Sequence, residues 1–192
     1  AADQPAAPAP CKPPPHHFQQ MGELGMFVGQ HVMLFEGEIV AMPAMGDRHR
    51  TSVILASDRL RDLFDGGYFV SVQCPFDIGK ATDPEPDIAV IAGQIRDYAT
   101  RGLTQAALIV EVSDATLDFD RRTKAPLYAG AGVADYWIIN LNAAQIEVHR
   151  QPLPPDQIFG TGYTDVKTYR KGQSIELLAK PGVQVLVDDL LP

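Results

Sequence analysis

Cysteine is nearly absent from this chain: its 192 residues hold two, Cys11 and Cys74. Two thiols do not make the disulfide framework of a small secreted domain, and both are expected to be free in a reducing, cytoplasmic compartment. Missing too is any apolar run long enough to cross a bilayer, so no membrane-spanning helix is expected. The opening stretch AADQPAAPAPCKPPPHH lacks the cationic start and apolar core of a secretion signal. Positive charge is scarce, with 16 Lys and Arg against 24 Asp and Glu and a formal net charge of -8. Proteins that hold nucleic acid mainly by neutralising phosphates carry a basic face. This balance argues against tight DNA binding while leaving room for a local basic groove or a metal site.

What is present suits one globular unit, with a hydrophobic fraction of 45% and a charged fraction of 21%. Residues 1–17, crowded with Pro and Ala, read as an extended or disordered tail, and residues 18–192 as a single domain. A helix weakened by glycines is expected from about Phe18 to Gln30. HVMLFEGEIVAMP reads as two short strands turned at Glu36 and Gly37. DRHRTSVILASDRLRDLF places Val53, Ile54, Leu60, Leu63 and Phe64 at helical spacing, the pattern of an amphipathic helix laid on a sheet. GGYFVSVQC is a strand, DIAVIAG and AALIVEVS are buried strands, DYWIINL and AQIEVHR a hairpin around Asn142 and Ala143, and SIELL and VQVLV weaker strands. Between the third and fourth of these a helix runs from Leu117 to Ala131, stopped by GAGV and interrupted by Pro126, which costs a hydrogen bond or a kink. The fold class is α/β in the mixed α+β sense: a central mixed sheet flanked by helices.

Two carboxylates stand out. Asp87 opens the strand DIAVIAG just after Pro86, and Glu111 lies near the end of LIVEVS. If those strands pair antiparallel, both acids meet at one end of the sheet. Alternation puts Leu108, Val110 and Val112 on one face and Ile109, Glu111 and Ser113 on the other. Paired carboxylates repel, and a cation offsets them. Oxygen-only donors suit Mg²⁺ or Mn²⁺, which also take phosphate oxygens, whereas no Cys/His spacing suits zinc. Lys124 shares a helix face with Asp120 and Tyr128 at four-residue spacing and can fold back over the strand end.

The segments FEGEIVAMP, EPDIAV, LIVEVSDATLDFDRRTK and LYAGAGVADYWIINL together resemble the Uma-two-type restriction endonuclease family, within the PD-(D/E)XK nuclease-like superfamily. The resemblance covers about residue 20 to the C-terminus. It implies a restriction-endonuclease-like core and a Mg²⁺-dependent (or Mn²⁺-dependent) phosphodiesterase acting on DNA. It also implies Asp87 as the motif aspartate and Glu111 as the motif acid, both metal ligands. Glu38 matches the early glutamate. The superfamily lysine two residues after the acid is replaced by Ser113, which makes Lys124 the matching residue.

Each residue has a plainer reading. Asp87 could cap a loop, Glu38 could be surface, and Glu111 could form a structural ion pair with Lys124. His49 reads as a helix-face residue, Tyr128, Tyr136 and Trp137 as core or interface aromatics, and Ser113 and Asp114 as caps of the following helix. The leading expectation is a metal-dependent endodeoxyribonuclease, working as a homo-oligomer because two related sites cut a duplex most simply. The alternative is a catalytically inactive binding or assembly module of the same fold. RNA and branched junctions are not distinguished from DNA.

Overall fold

The computed structural model describes residues 13–30, 32–42, 44–79, 82 and 84–192. Cys11 and most of the expected tail lie outside them. Helix α1 (Pro15–Glu23) begins inside the stretch read as tail, because a proline at the first helical position is preorganised for a helix start. It also ends earlier than expected, with Gly25 at φ 76° in the turns beyond it. The hairpin β1 (Val32–Phe35) and β2 (Glu38–Ala41) follows, turned at Glu36 and Gly37 as expected.

Helix α2 (Asp47–Leu63) leads into a six-stranded sheet: β3 (Tyr68–Val72), β4 (Ile88–Ala92), β5 (Leu108–Ser113), β6 (Asp135–Asn140), β7 (Gln145–Pro152) and β8 (Tyr163–Arg170), in that spatial order. All neighbours pair antiparallel except β5 and β6, which run parallel. Parallel strands need a crossover. It is supplied by α3 (Leu117–Phe119), a π-helical turn (Asp120–Lys124) and α4 (Ala125–Gly130). A small hairpin of β9 (Ser174–Glu176) and β10 (Gln184–Leu186) completes the described residues. No helix among them is long and apolar enough to cross a membrane.

The sheet buries both faces, which explains strands with little polar alternation. On one face Val110, Val112 and Trp137 pack with Val53, Ala56 and Leu60 of α2 and with Ile175 and Val185 of the small hairpin. On the other, Ile109, Tyr136 and Ile138 pack with Ala125, Tyr128 and Ala129. The expected alternation of β5 therefore holds. Ile54, expected on the buried side of α2, is 52% exposed instead, because Ala56 takes the inward position.

Pro126 acts where it was expected to. With no N–H of its own, it sits in the first turn of α4, and the Ala125 N–H just before it reaches back to Asp120 O in π register. One further expectation fails. Ser113 and Asp114 do not cap α3; Thr116 holds the N-cap position with no side-chain cap bond. TDVKTYR, unassigned by pattern, forms β8, since its polar residues suit a largely exposed edge strand.

Gly162 fixes how β8 approaches α4. Its φ is +73°, and an added Cβ would stand 2.7 Å from Ala129 Cβ and 3.0 Å from Pro126 Cα. Gly162→Ala is expected to destabilise the fold by about 1–3 kcal/mol, seen as a lower urea midpoint at constant m. An unchanged midpoint would mean that this contact carries no weight.

Candidate active site

Pro86 cannot donate a ladder hydrogen bond, so the pairing of β4 with β5 ends at Ile88 and Val110. The next backbone donor on β5 is the Val112 N–H, and Asp87 Oδ2 accepts it at 2.8 Å. Glu111 reciprocates, with Oε2 3.4 Å from the Asp87 N–H. The two carboxyl groups are thus tied to each other's strands where the ladder stops, the convergence expected from antiparallel pairing.

The crossover brings the cation. Lys124 Nζ lies 2.8 Å from Glu111 Oε2 and 3.4 Å from Asp120 Oδ1. One turn on, the Tyr128 hydroxyl donates to Glu111 Oε1 at 2.8 Å. The four-residue spacing of Asp120, Lys124 and Tyr128 thus places all three around one glutamate. From the opposite face, His49 in the first turn of α2 sets Nε2 3.1 Å from Asp87 Oδ2. Gln73, just past β3 at φ 49°, donates from Nε2 to Asp87 Oδ1 at 3.3 Å. All of these groups but Tyr128 line a pocket of about 200 Å³, together with Met33, Met42, Met45, Glu85 and Asp114.

Charge is unevenly compensated here. Burial above all pushes the Glu111 carboxyl up to about 8; Asp87 and Asp120 add to this, and Lys124 pulls against it. Burial also works against the Asp87 carboxylate, yet the His49 bond and charge, Lys124 and the Val112 N–H hold its pKa below the usual range. Burial disfavours the Lys124 ammonium too, but Glu111, Asp120 and Asp87 raise its pKa, so it stays charged. The two carboxyl groups are thus driven apart, Asp87 toward the ionised form and Glu111 toward the protonated one. Three buried carboxyl groups face one ammonium and one imidazole, that of His49, whose pKa burial lowers but these same acids raise more.

The structure brings Asp87, Glu111 and Lys124 together and leaves Glu38 apart. Glu38 is exposed on β2 and does not line the pocket. Four contributors were not assigned to the site from sequence. His49 was read as a helix-face residue, although its place in the first turn of α2 carried the signal. Tyr128 was read as core; it is core, with its hydroxyl on Glu111. Asp120 was placed on the right face without a role, and Gln73 had no signal before the β3–β4 pairing was known.

Comparison with known proteins bears on what this arrangement is. The model of the Uma2 family, described as “Putative restriction endonuclease”, matches residues 17–188. The chain belongs to that family. A solved structure from Anabaena variabilis, described as “a putative nuclease belonging to DUF820”, shares the fold at a TM-score of 0.64 and 14% identity, over 84% of this chain and 89% of that one. No curated protein matches. The restriction-endonuclease-like core and the mixed sheet flanked by helices are therefore as expected, and the strands that carry Asp87 and Glu111 lie inside the matched region.

The Glu111–Lys124 pair makes a pH-dependent prediction. Lys124 is what pulls the Glu111 pKa down toward about 8, so Lys124→Met is expected to raise it further, and the variant's loss of stability grows by about 1.4 kcal/mol per pH unit above pH 8. Below that pH the carboxyl keeps its proton and the loss is smaller. Urea unfolding at pH 6.5 and pH 9 reads the difference; equal losses would mean that the pair is not held by charge.

Proposed function

We propose that this protein is a metal-dependent nuclease that hydrolyses DNA phosphodiester bonds, with Mg²⁺ or Mn²⁺ held by Asp87 and Glu111. The observation that carries the reading is the meeting of these two carboxyl groups and Lys124 at the end of the β4–β5 ladder, inside an open pocket. Membership of a family described as restriction endonucleases supports the same class of activity.

The donors suit such an ion. They are hard oxygens, and Asp87 and Asp120 add to the rise that burial causes in the Glu111 pKa, which a divalent ion would reverse. Among the described residues no three His, Cys, Asp or Glu side chains are grouped to enclose a metal. An ion here would rest on two carboxylates and complete its shell with water and phosphate oxygens, the habit of Mg²⁺. When bound, it would lower the pKa of a coordinated water and neutralise charge on the phosphoryl group. Lys124, kept protonated, does not serve as a base; its ammonium would stabilise negative charge developing on phosphate oxygens. His49 and Gln73 hold Asp87 in orientation, and Tyr128 does the same for Glu111.

A second reading, a nuclease fold that binds or assembles without catalysis, has one observation in its favour: both Glu111 oxygens already have protein partners, Lys124 and Tyr128. Calorimetry with Mn²⁺ separates the two. The nuclease reading expects binding that is lost in Glu111→Gln and strengthens by about tenfold per pH unit up to roughly pH 8, because the ion must displace the Glu111 proton. Mn²⁺ binding that ignores Glu111 would favour the second reading.

The activity itself is tested by incubating the protein with DNA and Mg²⁺ or Mn²⁺, with RNA and branched junctions as parallel substrates. Asp87→Ala and Lys124→Ala are each expected to lower cleavage by at least about 100-fold. Cleavage that survives both substitutions would remove these residues from the mechanism.

A further inference from the structure

β8 ends the six-stranded sheet, and no strand among the described residues pairs with its outer side. Arg170 shows which backbone groups look outward. Its N–H donates to Gln173 Oε1 at 2.6 Å and its carbonyl accepts the Gln173 N–H at 3.0 Å, so it turns away from its β7 neighbour Gln145. Backbone direction alternates along an antiparallel strand. Thr168, Val166 and Thr164 therefore present their N–H and C=O groups to the free edge as well. All three are exposed, Val166 by 46% despite its apolar side chain. An eight-residue edge of this kind is a template for another strand.

The charges on β8 indicate which strand. Asp165 and Lys167 flank Val166 and lie 3.0 Å apart. We propose that β8 pairs antiparallel with β8 of a second copy of this chain, about a twofold axis at Val166, joining two sheets into one. In that register Val166 faces Val166 of the other copy, and Thr164 faces its Thr168. About six backbone hydrogen bonds form between outward-facing groups. Asp165 falls opposite Lys167 of the other copy on both sides of the axis, in the closer, non-hydrogen-bonded pairs where opposite charges attract best. The adjacent registers that keep outward groups paired set Asp165 against Asp165, or Lys167 against Lys167, and like charges repel. One register is selected, and the sequence of β8 is complementary to itself only there. Such an isologous contact closes a dimer. Val166 projects on the same face as His149, so the two valines form a β-branched cross-strand pair. The inference stands apart from the nuclease reading, since none of these residues lines the pocket.

Sedimentation velocity across a range of concentrations tests it, with circular dichroism to establish that each exposed-site variant is folded. The wild-type chain is expected to sediment as a dimer. Lys167→Glu sets acid against acid across the axis and is expected to weaken association at least tenfold. Val166→Lys sets two lysines face to face and should do the same. The double variant Asp165→Lys with Lys167→Glu restores opposite charges and is expected to restore the dimer. A monomeric wild type would overturn the proposal, as would a dimer indifferent to both single substitutions, or a double variant no better than Lys167→Glu alone.

Discussion

The constraint on which the rest of the structure depends is a carboxyl group placed inside a strand that is otherwise apolar. Glu111 is 1% exposed, between Val110 and Val112 on a sheet covered on both sides. A buried carboxyl without partners would be prohibitive, so neighbouring elements supply them. The crossover from β5 to β6 widens into a π turn where Pro126 interrupts it, and that turn carries Asp120 and Lys124 onto the glutamate. Tyr128 reaches it one turn later, and Pro86 stops β4 so that Asp87 meets it from the side. Each of these features looks irregular alone, a π turn, a proline in a helix, a truncated ladder; together they are the conditions for burying one acid.

Other charges in the sheet show that this arrangement is unusual. Glu147 is also buried, but Arg121 grips it with two hydrogen bonds and Asn140 adds a third. Burial opposes its charge, yet these partners hold its pKa below the normal range. Asp135 is fastened to Arg150 through both oxygens. These are closed ion pairs. Glu111 has partners too, but its pKa moves the other way, first because it is wholly buried and then because Asp87 and Asp120 crowd the same lysine. A purely structural pair would be expected to balance its charge, and apolar replacement of buried pairs is often no loss of stability. An unbalanced cluster facing an open pocket is therefore better explained by what it binds than by what it stabilises.

The parts of this site legible in sequence were those governed by local periodicity. A period of two gave the orientation of Glu111 in LIVEVS, and a spacing of four put Asp120, Lys124 and Tyr128 on one face. The convergence of Asp87 with Glu111 needed one assumption, antiparallel pairing, and the register satisfies it. What stayed hidden depends on tertiary neighbours. His49 lies on the other side of the sheet from Lys124, so no spacing relates the two; only the approach of α2 to the end of β4 joins them. Gln73 reaches Asp87 because β3 pairs with β4. Glu38, adopted by resemblance, lies on a hairpin separate from the main sheet, and its exposure there gives no support from geometry. β8 escaped notice because an exposed edge strand lacks the apolar alternation by which strands are found.

The acidity of the chain takes on a different meaning beside this geometry. With a net charge of -8, the protein does not attract a polyanion by its overall field, and the pocket itself adds Glu85 and Asp114 to the buried acids. Lys124 is already engaged by two carboxyl groups and does not compensate them all. On the proposed reading, the missing positive charge comes with the metal ion, which would be both the counter-charge for Glu111 and the contact for phosphate. Substrate affinity and metal occupancy would then be one linked equilibrium, because without the cation the pocket repels the group it acts on. An acidic nuclease would be consistent on those terms: the excess carboxylates that would weaken a metal-free site are what would make it selective for a divalent ion.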